Sequence, residues 1–212
     1  MLGLPKSTEF NHVVHKQNLY KNMNLTPALK RLFIEQIHMI YWRNKIAVTT
    51  MNLSPGKEVE EVEIFEIQLK QAGLDEILLK ELDKSVPYHI LFILSYEGRE
   101  QAWIAYKEIG KTGVKVDRYF HSDWETAGTL LLSPEGLTPD EIYANYIYRL
   151  AGDALIRTDT PRESVQRTEQ VRKLERKIEL LKAKIRKERQ FNIQVKLNEE
   201  LKSTLNELKQ YL

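Results

Sequence analysis

The chain has no cysteine. Disulfides, Cys-ligated zinc or iron–sulfur centres and a Cys nucleophile are therefore excluded. Long apolar runs are missing too. The solid ones, such as Ile90–Leu94, reach five residues, far short of the ~18 a membrane helix needs. Met1–Lys6 carries no basic stretch ahead of an apolar one, so no signal peptide is expected. By elimination the expected address is cytoplasmic. An excess of one charge is also absent: 32 Lys and Arg face 30 Asp and Glu, a net of +2. That excludes a polycation coating nucleic acid everywhere, but not a local basic stripe.

Glycine and tryptophan are confined. All nine glycines and all three tryptophans precede residue 161. From 161 onward the 212-residue chain has 14 Lys and Arg against 8 Asp and Glu, a net of +6, and the rest is −4. The reading is a mildly acidic globular domain, 1–159, carrying a basic helical tail, 160–212.

Three helix starts share one signature. Thr26-Pro27, Thr138-Pro139 and Thr160-Pro161 each place a capping hydroxyl before a proline at the first helical position. Glu141 and Glu163 add the acid of a capping box. Apolar stripes follow, through Leu29, Leu32, Phe33 and Ile37, and through Ile142, Tyr143, Tyr146, Ile147, Leu150 and Ala154. A shorter helix over 75–84 should bury Ile77, Leu78 and Leu82.

Strand signals occupy 38–48, 59–70, 88–96, 101–107 and 114–120. A phase change within 59–70 suggests a bulge there. Glu97-Gly98-Arg99 should close a hairpin. Consecutive strands without regular βα alternation give an α+β fold with a mainly antiparallel sheet of about five strands and flanking helices.

In the tail, Val171, Leu174, Ile178, Leu181 and Ile185 keep coiled-coil spacing. They form a candidate seam for self-association or a partner. The register then fails at Glu188 and Asn192, and a new leucine series starts at Leu197. Either the tail folds back as a hairpin with Asn192 capping the second helix, or a stutter interrupts one continuous coiled-coil helix.

Chemistry-bearing residues are sparse. Ala105–Thr112 fits a loose phosphate-loop pattern, but lacks early glycines and leads into strand-like Gly113–Val116, so a β-turn is the better reading. His12 and His15 lack a third ligand for a metal. Glu63, Glu66, Gln68 and Lys70 have the residue types of a metal-dependent nuclease strand, and Glu66, Gln68 and Lys70 share a face by period 2. An upstream acid of recognisable spacing is missing. His89, Lys107, His121 and Asp123 are further weak catalytic candidates without nucleophile-elbow context. Lys182, Lys184, Arg186, Lys187 and Arg189 form a basic run with phosphate-contact potential and little aromatic interleaving. No cofactor and no resident metal are expected.

Leu4–Glu9, Trp42–Lys45, Val62–Glu66, Pro87–Phe92, Ala102–Ile104, Tyr119–Trp124 and the charged tail through Gln190-Phe191-Asn192 form an ordered set. The set resembles a bacterial family, domain of unknown function 4391, over the whole length. That resemblance brings no catalytic residues. It implies a partner context, beside Snf2-like helicases and DNA methyltransferases in restriction or phage-defence loci. The expectation is a non-enzymatic adaptor. The alternatives are a metal-dependent nuclease and a nonspecific DNA-binding module working through the tail.

Overall fold

A computed structural model describes residues 3–23, 25–110, 113–158 and 160–211. The chain forms two compact units, 1–152 and 153–212.

The first unit is α+β. Its elements are β1 (Glu9–Val13), α1 (Lys16–Asn22), α2 (Pro27–Gln36), β2 (Ile37–Ile46), β3 (Val62–Leu69), α3 (Glu76–Ser85), β4 (His89–Tyr96), β5 (Arg99–Gly110), β6 (Gly113–His121), β7 (Glu125–Thr126) and α4 (Pro139–Ala151). The sheet runs β1-β2-β3-β4-β5-β6 in space, with β7 on β5. All pairs are antiparallel except β3–β4, which α3 joins as a crossover.

Seven strands stand where about five were expected. The additions are β1, a mostly exposed edge strand with little apolar signal, and the two-residue β7. Helix α1 was not read either. The hairpin is as expected: Glu97 and Gly98 take φ of 45° and 74°, the left-handed pair that matches strand twist.

Two apolar layers sandwich the sheet. On one face Leu19, Phe33, Leu78, Leu79 and Leu82 from α1–α3 pack with Phe65, Ile67, Phe92 and Leu94. On the other, α4 packs on β5 and β6 with Ile142, Tyr143, Tyr146 and Ile147 buried. Strand β4 is buried on both faces, which explains its solid apolar run.

Two local expectations are corrected. Ile77 is 41% exposed, and Leu79 takes its place in the core. The bulges lie in β2, not β3. His38 and Arg43 are the extra residues between Ile37↔Leu69 and Met39↔Gln68, and between Trp42↔Phe65 and Asn44↔Ile64. The phase change in β3 comes instead from burial on both sides.

All three threonines cap as read: Thr26, Thr138 and Thr160 accept from the N–H three residues on, at 3.2–3.3 Å. Glu141 reaches back one residue further than a standard box, to Leu137 N–H at 2.7 Å.

The second unit contains α5 (Pro161–Lys187) and α6 (Phe191–Lys209). Lys177–Glu200 at 2.9 Å and Arg167 Nε to Tyr211 O at 2.7 Å tie them into an antiparallel hairpin. Asn192 is not the cap. Gln190 holds that position without a side-chain bond, and the Glu188 carboxylate accepts from Arg189 and Gln190 N–H, each at 2.8 Å. Glu188 thus holds the turn ahead of α6, and no side chain caps the helix itself.

Candidate functional site

The nuclease-like residues separate. On β3, Glu66 and Gln68 share a face, while Glu63 lies on the other by strand alternation. The β2 bulge turns Arg43 onto Glu66, with Nε and Nη2 at 2.7 and 2.6 Å from Oε2. Ser95 Oγ and Gln68 Nε2 donate to Oε1 at 2.9 and 3.3 Å. The guanidinium also stacks over Tyr41 at 4.2 Å. Both oxygens of Glu66 are therefore engaged, and its charge is neutralised by an arginine. A metal ion would have to displace Arg43. Lys70 lies past the end of β3, where its Nζ donates to Ile34 O at 2.7 Å. Period 2 placed it beside Glu66 only if the strand continued.

Glu63 belongs to a different cluster. Glu61, Glu63 and Lys45 are gathered where β2 ends and β3 begins, with Lys45 paired to Glu61. Burial, then proton sharing with Glu61, pushes the Glu63 carboxyl up to about 8, against the pull of Lys45. Its Oε2 is buried without a hydrogen-bond partner, as a carboxyl that keeps its proton at neutral pH tolerates better than a carboxylate.

Lys107 and His89 meet in a buried network. The side chains of Lys107 and Asp83 are each 1% exposed. Lys107 Nζ donates to the carbonyls of Asp83, Val86 and Tyr88 at 2.6, 2.7 and 2.5 Å, with Asp83 Oδ1 at 3.4 Å. The Asp83 and Val86 carbonyls lie at the end of α3, where intrahelical partners run out, and Tyr88 follows just before β4. Tyr119 OH donates to Asp83 Oδ2. Burial raises Asp83 to about 6, opposed by Lys107 and Tyr119, and burial lowers Lys107, opposed by Asp83. Tyr143 OH accepts from Lys107 N–H and donates to Ala105 O, both at 2.8 Å. It fills the gap where β5 changes register with β6. His89 Nε2 lies 3.2 Å from Lys107 O, an acceptor, so this nitrogen carries the proton. Burial first, then the Lys107 charge, drops the imidazole to about 4. His89 is thus a neutral core histidine whose Nδ1 has no partner.

His121 stands apart, stacked on Trp103 at 4.4 Å. Asp123 is exposed beside it. Ser122 Oγ donates to Asp123 O at 2.7 Å and accepts from Ala102 N–H at 3.1 Å. No serine nucleophile is assembled with this histidine. His12 lies in β1 and His15 precedes α1, both exposed. Among the described residues no group of three or more His, Asp or Glu is placed to hold a metal ion. Lys111 and Thr112 of the phosphate-loop pattern lie outside the described residues, and strands flank them on both sides.

In the hairpin, Val171, Leu174, Ile178 and Leu181 are 4–6% exposed, and Ile185 is half-buried. The stripe read as a partner seam is covered within the chain, because α6 supplied the second helix that the pattern demanded. Lys182, Lys184, Arg186, Lys187 and Arg189 are exposed. At 100° per residue, Lys182 and Arg186 fall on one flank of α5, and Lys184 and Lys187 on another. Lys182 pairs with Glu179 at 2.9 Å.

Asp83 was missed by the sequence reading, though an acid four residues after Leu79 on an apolar stripe signals a buried partner. Arg43, Ser95, Tyr119 and Tyr143 carry no such signal, since they meet their partners only across the sheet.

A family model described as Domain of unknown function (DUF4391) matches residues 2–208 of the chain, which therefore belongs to that family. No curated protein and no solved structure matches it. Among the described residues no helix is long and apolar enough to cross a membrane.

Proposed function

We propose that this member of the family is a non-enzymatic adaptor that docks a protein partner through its C-terminal hairpin. In this reading it serves a bacterial DNA restriction or phage-defence module, and the partner is its helicase or DNA methyltransferase. The observation that carries the reading is the outer face of α6. Phe191, Val195 and Leu205 are 75%, 40% and 38% exposed, and 100° steps bring them into one quadrant of the helix. Lys202 and Lys209 share that quadrant. Three apolar side chains with Lys202 and Lys209 set among them suit a partner helix that offers both apolar residues and acids.

The polar groups support the same reading. Glu66 is closed by Arg43, Lys107 by the end of α3, and His89 is buried and neutral. The test is two-sided. Full-length protein should co-elute with the helicase or methyltransferase encoded beside it. It should leave DNA intact in Mg²⁺ or Mn²⁺. Metal-dependent cleavage abolished by Glu66→Ala would replace the adaptor with the nuclease.

A further inference from the structure

A cleft of about 540 Å³ opens where β1 leads into α1 and faces the start of β2. Its polar lining is His15, Lys16 and Gln17 on one side and His38 on the other. Val14, Met39 and Ile40 supply apolar wall. Among the described residues no acid lines it, although this unit carries more acids than bases.

Two features bring hydrogen-bond donors there. His38 is the unpaired residue of the first β2 bulge, a device that re-aims a side chain out of the ladder. Lys16 Nζ donates to Ile37 O at 2.5 Å and Phe33 O at 3.4 Å, and Lys70 Nζ to Ile34 O. Two ammonium groups thus meet the end of α2. Neither is paired with a carboxylate among the described residues. They are close enough that Lys70 adds to burial in lowering the Lys16 pKa. Lys16 lines the cleft with both histidines, and a lysine without an acid in the lining disfavours a metal cation and favours an oxyanion.

We propose that this cleft binds a phosphomonoester, with His15, His38 and Lys16 around the phosphate and the remainder of the ligand on Met39 and Val14. The proposal is independent of the adaptor reading, which rests on α6.

The test is a titration of the full chain with adenosine monophosphate, inorganic phosphate and adenosine, followed by NMR of the five histidine rings. Saturable shifts of His15 and His38 with both phosphates are expected, with His12 and His121 unmoved and adenosine inert. His15→Gln combined with His38→Gln removes two exposed side chains. It should weaken binding about tenfold or more, the scale of lost charge-assisted hydrogen bonds, with melting unchanged. Absence of saturation, equal shifts of all exposed histidines, an equal response to adenosine, or undiminished binding by the double variant would each overturn the site.

Discussion

Lys107 gives its ammonium to three main-chain carbonyls and one carboxylate, all inside the core. Removing one member of a buried pair leaves the other charge uncompensated, at about 3–5 kcal/mol. Lys107→Met is therefore expected to lower the urea midpoint severely, and adding Asp83→Asn should recover part of the loss. Equal midpoints for wild type and Lys107→Met would deny the network its structural role. Glu63 offers a pH test. Its folded carboxyl titrates near 8, above its ordinary value of 4.5. The folded chain thus holds a proton that the unfolded chain releases, and stability falls as pH rises between them. From pH 7.5 to 8.5 the Asp83 transition, near 6 when folded, and that of His89, from about 4 folded to its ordinary 6.5 unfolded, are largely complete. Thermal melts across that window should drop with rising pH in wild type, and Glu63→Gln should flatten the slope.

At the scale of elements, the segment between β2 and β3 is held by α4. Asp140 accepts N–H bonds from Lys57, Glu58 and Val59 at 2.7, 2.9 and 3.1 Å. A Cβ on Gly56 would sit 2.1 Å from Val59 O and 2.4 Å from Asp140 Oδ2, so Gly56→Ala should open this clamp. Protease cleavage within 51–61 should accelerate, and an unchanged rate would mean the clamp is dispensable. In the hairpin, Ile178→Asp places a charge in a closed seam and should cost helicity. Leu205→Gln on the outer face should not. Circular dichroism separates the two, and equal losses would put Leu205 inside the hairpin.

The elements with a local cause were legible. Thr-Pro starts set α2, α4 and α5, and the solid apolar run set β4. Edge strand β1 was not, because an exposed strand has no need of alternation. The hairpin was legible as one of two options, since a stripe needs cover but does not name it. Glu66 and Gln68 were legible as neighbours by period 2. Arg43 was not, because a bulge in a different strand brings it there.

For the whole molecule, charge is divided: the tail from 161 is +6 and the remainder −4. DNA affinity, where present, should reside in the tail, be nonspecific and fall steeply with salt. Because the basic residues occupy two flanks of α5, few phosphates are met at once. Replacing Lys182, Lys184, Arg186 and Lys187 with Gln should abolish the salt-dependent binding in gel-shift assays. Salt-resistant binding that survives would move the DNA site into the α+β unit. The adaptor reading meets its most direct test in calorimetry of the purified helicase or methyltransferase partner. Wild type is to be compared with a Phe191→Gln, Val195→Gln, Leu205→Gln variant whose helicity is intact. The account predicts stoichiometric binding by the wild type and loss of binding by the variant. Equal affinity for both proteins would contradict it.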